Sequence, residues 1–409
     1  VTSPILIHVL SLDTVGGVES LYVHFITEAL SRGTALHYTS VCGKPPHKKF
    51  SSQFEKLGYK TFLEEHLFGI RLPRFLRSIA RLRRRMVHDI VKPTYWVFWN
   101  RIEDRLPPGP AVYYEHGAAW NVAVTKKRIQ FLSACSSCIA NSHAAAVVLK
   151  EKWHVNSPIT VVPNPLRPDI SIVDTPRAPS HLSSIHLGFI GRLVPVKGLF
   201  VALHALKILK DRGIAVTLSI AGVGPLEKKA KQYASNMGIG DCVSWKGCVE
   251  AVTDFYDSID ILLVPSIREP LGLVSLEAAA RGVPVIAAAV DGLPEGVLDG
   301  KTGICLQPTL KLEEAEEFLP SPGTLPDVVV DTASQTLVQP KVINPVHLAD
   351  AIERLMNDPQ CYGQYSLNGI CHARSRADFH SYFNALQSIL EYSDAPSTEG
   401  EVDPSTDSL

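Results

Sequence analysis

Short apolar runs alternate along this chain with longer segments whose apolar residues return every three or four positions. Residues 4–10 (PILIHVL) are one such run, followed by a Gly-bearing loop and an amphipathic segment at about 19–32. Residues 185–191 (IHLGFIG) repeat the plan, with a loop at 192–198 and a segment at about 199–212 that Gly213 closes. Continuous apolar runs of this length predict parallel strands buried on both faces, and the helical periodicity between them predicts the covering helices.

Further runs fit the same plan. AVYYEHG (111–117) reads as a strand ending in a histidine, and SCIANS (137–142) as a strand leading to Ser142, an N-cap for a helix through Lys152. ITVVPN (159–164) is another strand, and the Pro- and Ser-bearing stretch 168–184 reads as a linker. Beyond it, VTLSIAG (216–222), CVSWKG (242–247), DILLVPS (260–266) and VPVIAAA (283–289) alternate with helical segments. The pattern predicts an α/β chain with two doubly wound Rossmann-like domains, which bind ligands at the carboxyl ends of their strands and so across a shared cleft.

Three segments break the alternation. Residues 70–92 hold eight Lys or Arg against one Asp. Residues 309–340 are acidic, Pro-rich and weakly periodic, and read as an inserted loop; residues 393–409 have the composition of a disordered tail.

Composition narrows the function classes. The 409 residues suit two domains, and a formal net charge of −1 gives no global field for nucleic acid or membrane. The eight cysteines (42, 135, 138, 242, 248, 305, 361 and 371) are sparse and sit mostly in apolar runs, which predicts buried reduced thiols and a cytoplasmic setting. Cys135 and Cys138 form a C-x-x-C without the second pair a zinc site needs, so no metal is expected there. No apolar run is long enough to span a bilayer, and residues 4–10 are too short for a signal-peptide core. A chain that opens on Val1 is expected to lack its initiator Met, or more.

The chemistry gathers at 259–290. A strand ends at Pro265-Ser266, Arg268-Glu269-Pro270-Leu271-Gly272-Leu273 follow, and a helix then carries Glu277. The unpaired amides and positive dipole end of that helix suit a diphosphate, and Gly272 permits close approach of the backbone. Two carboxylates can each accept hydrogen bonds from neighbouring sugar hydroxyls, although taken alone Glu269 and Glu277 also fit as solvated helix-end acids. Upstream, Arg192 and Lys197 place two cations just past a strand end, where they could hold a pyrophosphate or simply lie on the surface.

Together these segments resemble a known family. E-P-L-G-L-V-S-L-E-A-A-A-R-G-V-P-V-I-A (269–287) is similar to the E-x7-E signature of the retaining family 4 glycosyltransferases, which have the two-domain GT-B fold. Asp291-Gly292-Leu293-Pro294-Glu295 and Gly300-Lys301-Thr302-Gly303 continue the likeness, and Gly191-Arg192…Lys197-Gly198 resembles the family's G-R-x-x-x-x-K-G loop. Ala221-Gly222-Val223-Gly224-Pro225 adds a family-like turn. The N-terminal match is thinner: Gly16-Gly17-Val18-Glu19 resembles the glycine loop, Glu115-His116-Gly117 the strand-end histidine, and Asn141-Ser142 and Val162-Pro163-Asn164-Pro165 other family positions. Leu271 stands where the family often has an aromatic residue, and the insertion at 309–340 is a larger departure.

The resemblance implies a retaining, metal-independent transfer of a sugar from a nucleotide-sugar to an acceptor hydroxyl. In it Arg192 and Lys197 bind the diphosphate, Glu269 the transferred sugar and Glu277 the ribose. Leu271, Gly272 and Leu273 offer amides, His116 supports the reacting sugar, and Gly16, Gly17 and Asn164 complete the donor side. Uridine is the commonest donor base in the family. Polysaccharide, lipopolysaccharide or glycolipid biosynthesis is the expected setting. On this plan residues 1–184 form the acceptor-side domain, completed by C-terminal helices at about 372–392, and residues 185–371 the donor domain. The alternatives are a nucleotide-sugar epimerase or a sugar phosphorylase of the same fold, or a non-catalytic sugar-nucleotide-binding protein; intact Arg192, Lys197, Glu269 and Glu277 speak against the last. Arg71, Arg74, Arg77, Arg81, Arg84 and Arg85 recur at helical spacing and suggest an anionic membrane surface, a solvated face or an anionic acceptor, with peripheral attachment at the inner face of a membrane. Without interleaved aromatics they do not suggest nucleic acid.

Overall fold

The computed structural model describes residues 5–14, 16–33, 36–41, 44–59, 61–63, 66–67, 70–71, 78–178, 184–319 and 325–392. The expected tail at 393–409 and the arginines at 74 and 77 lie outside the described residues.

Among the described residues, the first half builds a seven-stranded sheet from β1 (Leu6–Leu10), β2 (Leu36–Val41), β3 (Thr61–Leu63), β4 (Tyr95–Trp99), β5 (Ala111–Glu115), β6 (Ser137–Ala140) and β7 (Ile159–Val161). The order is β3-β2-β1-β4-β5-β6-β7, and every pairing is parallel. Strand side chains alternate between two apolar layers, as the two-residue period requires. Leu6, Leu10, Tyr95, Val97, Trp99 and Tyr114 pack with Phe25 and Ile26 of the helix Gly17–Ser31. Ile7, Val9, Trp96, Phe98 and Tyr113 face the other way, onto Phe131, Val148 and Leu149. Both faces are covered, which is why the runs read as continuously apolar.

The second half builds a six-stranded parallel sheet from β8 (Ile185–Ile190), β9 (Val216–Ala221), β10 (Val243–Gly247), β11 (Ile261–Val264), β12 (Val285–Ala288) and β13 (Gly303–Leu306), in the order β10-β9-β8-β11-β12-β13. The helix Leu199–Asp211 packs with Pro345–Met356, and Leu273–Ala280 packs with Pro359–Ser375. Close packing of that second pair uses Gly369, where an added Cβ would lie 3.3 Å from Ala279 Cβ.

Both sheets reverse strand order beside their first strand, between β1 and β4 and between β8 and β11. Each reversal opens a crevice outside the carboxyl ends of the strands. The helix Pro359–Ser375 runs through the expected boundary near 371. The chain then crosses to the first domain, where Tyr382, Phe383, Leu386 and Leu390 of the helix Phe379–Tyr392 enter the Phe25 layer.

The insertion at 309–340 is not the plain loop its composition suggested. Among its described residues are a 3-10 turn at Glu313–Phe318 and an antiparallel hairpin of Val329–Asp331 with Thr336–Val338. The Asp331 carboxylate closes the hairpin turn, accepting from the amides of Ala333 (3.1 Å) and Ser334 (2.8 Å).

Candidate functional site

The donor-side crevice is built by glycines at two loop crossings. Gly198 follows the short turn Pro195–Lys197 with φ 69°, and an added Cβ would lie 2.0 Å from the Pro265 carbonyl oxygen. At Gly222 (φ 134°) an added Cβ would lie 1.9 Å from the Gly191 oxygen. Only glycine lets these backbones touch, and the contacts bring the loop after β8 against the ends of β11 and β9. Lys197 Nζ there makes an ion pair with Glu269, whose Oε2 also lies 3.4 Å from Ser266 Oγ. Arg192 stays exposed beside them.

Gly272 (φ 75°) caps the helix Leu273–Ala280 and packs its backbone under Leu293. Leu271 is buried and Leu273 half-buried at that helix start. Glu277, in the helix interior, is buried and accepts from the Tyr256 hydroxyl at 2.8 Å; Arg167 Nη1 stands 3.6 Å from it. Burial raises its pKa, against the pull of Arg167 and Tyr256. Tyr256 and Arg167 carried no motif, and the sequence reading missed both.

On the facing side, Gly16 caps the helix Gly17–Ser31 in an extended conformation, and an added Cβ would meet only the movable Glu19 carboxylate, 2.5 Å from its Oε2. A Cβ on Gly17 would come 4.0 Å from Leu273 Cδ1, which joins the glycine loop to the donor helix start.

His116 lies just past β5. Its ring stacks on Trp99 at 5.7 Å with an 8° interplanar angle, and its Nδ1 is 3.4 Å from Asn164 Nδ2. Burial lowers its pKa to about 3, so the ring is neutral, and its Nε2 has no hydrogen-bond partner. Asn100, in the left-handed region (φ 53°), receives the amides of His116 (3.1 Å) and Ala118 (2.7 Å) on its Oδ1. Glu115 accepts from the Tyr113 hydroxyl and from the amides of Gly117 and Ala119, and burial raises its pKa. Trp99 and Asn100 end a strand the sequence reading passed over; the run Tyr95–Trp99, wholly buried, was its available signal.

The two halves touch along this rim. Arg268 Nη1 donates to the Gly117 oxygen at 3.2 Å, and a Cβ on Gly117 would lie 2.8 Å from Pro270 Cγ. Trp120 Nε1 donates to Asp291 Oδ1 at 3.0 Å, and the Glu295 carboxylate accepts from the amides of His143 (3.0 Å) and Ala144 (3.2 Å) at a helix N-terminus. The structure thus gathers Lys197, Glu269, Leu271, Gly272 and Leu273 near Gly17 and the His116 loop. Asn164 joins through His116, and Glu277 lies deeper, on Tyr256.

Two other expectations change. Arg84 is no part of a free basic face: it pairs with Glu103 at 2.7 Å, and Arg101 pairs with the same carboxylate at 2.6 Å. Burial opposes the Glu103 charge, but the two guanidiniums overcome it and hold the pKa at about 2. Side chains before Arg84 in that helix lie outside the described residues. Of the described cysteines only Cys135 and Cys138 are buried, and Cys248 and Cys371 are exposed. Among the described residues no helix is long and apolar enough to cross a membrane.

Comparison with known proteins agrees with this fold. A model described as Glycosyltransferase Family 4 matches residues 15–170, and one described as Glycosyl transferases group 1 matches residues 178–319. A D-inositol 3-phosphate glycosyltransferase of Arthrobacter sp. is 29% identical over 57% of this chain and 63% of its own length. The enzyme of that description from Streptomyces avermitilis is 36% identical over 29% of this chain and 28% of its own. The chain therefore spans less than two thirds of these relatives. Among solved structures, a glycosyltransferase from Rickettsia africae superposes with TM-score 0.71 at 13% identity, covering 97% of this chain and 100% of that one. HepE of Anabaena, in complex with UDP and glucose, gives TM-score 0.68 at 17% identity over 95% and 99%.

Proposed function

We propose that this chain, which belongs to the family 4-type glycosyltransferases of the GT-B fold, moves a sugar from a nucleoside diphosphate donor to an acceptor hydroxyl. The observation that carries the reading is the Lys197–Glu269 pair. Two motifs 72 residues apart meet at the strand-order reversal of one domain, with the His116 loop of the other pressed against them. In the reaction, Arg192 and Lys197 neutralise the leaving diphosphate while the amides at 271–273 and the helix dipole hold it. Lys197 then exchanges Glu269 for phosphate, which frees the carboxylate to accept sugar hydroxyls. Glu277 receives the ribose hydroxyls.

A neutral His116 cannot act as a cation. With Asn164 donating to Nδ1, the hydrogen sits on Nε2, and that edge donates to a sugar oxygen. Positive charge building at the anomeric carbon is met by the departing phosphate on the same face, so attack from that face retains configuration. The two cations take the part a metal plays in other transferases. UDP is the favoured donor base, in keeping with the UDP held by the Anabaena protein. A polysaccharide, lipopolysaccharide or glycolipid acceptor in the cytoplasm, with peripheral membrane contact through the Arg71–Arg85 segment less Arg84, remains the expected setting.

The test is a panel of UDP-, GDP- and ADP-sugars with chelator present, read by thermal shift and by donor hydrolysis. At least one is expected to raise the melting temperature and to be cleaved; a flat response across the panel overturns the reading. Lys197→Ala is expected to lower kcat by about 10²–10³-fold while the fold survives. Unchanged turnover removes Lys197 from the mechanism.

A further inference from the structure

Two features lie outside the donor motifs' assigned roles: Asp291, in the D-G-L-P-E run, and the hairpin Val329–Val338 in the insertion. They meet. The Asp291 amide donates to the Val330 oxygen at 3.0 Å, and the Val330 amide donates back to Asp291 Oδ1 at 2.7 Å. The Val330 side chain is fully buried, yet in the wrong domain for its place in the chain: it packs with Trp120, Ala144 and Val148 of the first sheet's helical layer. The hairpin is thus tied by backbone to the donor domain and by side chain to the acceptor domain.

Asp291 is 2% exposed and sits in the left-handed region at φ 47°, which Asp tolerates when its side chain finds local hydrogen bonds. Its carboxylate supplies the fixing bonds. Oδ1 accepts from Val330 and, at 3.0 Å, from Trp120 Nε1; Oδ2 accepts from the Glu269 amide at 2.9 Å. One buried carboxylate therefore joins the acceptor domain, the insertion and the loop that aims Glu269. Trp120 is four residues past His116, and Arg268 holds the Gly117 oxygen between them.

We propose that Asp291, clamped by Trp120 and the Val329–Val338 hairpin, is a positioning residue that sets Glu269 in register with His116 across the domain joint. This builds on the reading of Glu269 and His116 as the sugar-facing groups. When the joint opens, Trp120 leaves the carboxylate and the Val330 side chain leaves its pocket in the first domain, so the Asp291 clamp on the Glu269 loop loses its acceptor-domain arm. The sugar half of the site is complete only when the domains are closed, whereas the two cations that meet the diphosphate, Arg192 and Lys197, make none of these contacts.

Asp291→Asn tests this on the full chain. Its remaining oxygen still accepts from Trp120 and Val330, but its amide nitrogen opposes the Glu269 N–H. The expected result is a tenfold to hundredfold fall in kcat, roughly the cost of leaving one buried amide N–H without its acceptor. Affinity for the nucleoside diphosphate without sugar falls far less than kcat, because Arg192 and Lys197 lie outside the clamp, and Glu269 amide hydrogen exchange accelerates. Trp120→Phe, which removes one donor only, moves the same readouts in the same direction by less. Wild-type kcat in Asp291→Asn overturns the proposal. So does a diphosphate affinity that falls in parallel with kcat, because that marks general loosening. If the wild type binds no nucleotide-sugar, the donor reading has failed, and Glu269 exchange still decides the positioning contact: unaltered exchange in both variants overturns it. If Asp291→Asn does not fold, Trp120→Phe decides alone, and unchanged kcat and exchange in it overturn the proposal.

Discussion

Gly198→Ala and Gly213→Ala make a matched pair that separates backbone conformation from close approach. Both glycines are left-handed, with φ 69° and 77°. An alanine in that region costs about 1–2 kcal/mol. Around Gly213 nothing lies within 4 Å of an added Cβ, so that cost is its whole effect. At Gly198 the Cβ would also lie 2.0 Å from the Pro265 oxygen and 2.8 Å from its carbon. The two backbones must part, against the Ile267 amide that holds the Val196 oxygen at 2.8 Å. Overpacking of this kind adds about 1–3 kcal/mol. For domains of this size each kcal/mol moves the melting temperature by about 2–4 °C. Gly213→Ala should therefore lose about 2–8 °C and Gly198→Ala about 4–20 °C. The assay is thermal unfolding with and without nucleoside diphosphate. Since Gly198 follows Lys197, its variant should also lose much of the ligand-induced shift, while Gly213→Ala keeps it. Equal losses of melting temperature and an intact ligand shift in both would refute the argument that the loop after β8 bears on the end of β11.

His8 accepts from Trp99 Nε1 at 2.9 Å, and burial lowers its pKa to about 3. A histidine depressed in the folded state contributes stability above its unfolded pKa of about 6.5, and this is lost as pH falls from there towards 3. Wild-type melting temperature should thus drop more steeply between pH 7 and pH 5 than that of His8→Asn; parallel curves would contradict the burial argument. Glu103→Ala leaves Arg84 and Arg101 without their shared carboxylate, with the Arg84 side chain only 12% exposed. It should cost about 3–5 kcal/mol by denaturant titration, most of it recovered in Arg84→Met/Glu103→Leu; a loss under about 0.5 kcal/mol, the range of an ordinary surface change, would show that the cluster does not form.

What the sequence disclosed and what it withheld divide along a physical line. Strands β8, β9, β11 and β12 and the loops that follow β8 and β11 were legible because their signals are local: apolar runs, glycines at backbone crossings and charges at strand ends. The strand Tyr95–Trp99 carries an equally local signal, five buried apolar residues directly after the arginine-rich segment. The hairpin at Val329–Val338, by contrast, was hidden. Its three-residue strands are too short for a period to register, and Val330 finds its apolar surroundings only in the other domain. Trp120, Arg167 and Tyr256 belong to the same class, as do the contacts, though not the motif, of Asp291. Each does its work through a partner distant in sequence, and no spacing rule encodes such a pairing.

The helix Phe379–Tyr392 has a consequence for how the molecule is made. Its Phe383 ring lies 5.1 Å from Phe25, and its Tyr382 hydroxyl lies 3.2 Å from that of Tyr114. A ribosome adds these residues only after it has made the whole second sheet. At about 5–20 residues per second, roughly ten to forty seconds separate the last strand of the first sheet from the helix that covers it. Throughout that interval the nascent first domain presents an uncovered apolar face around Phe25. A first domain expressed without the helix is expected to keep that face exposed and to aggregate more readily than the full chain, which light scattering of the two would compare.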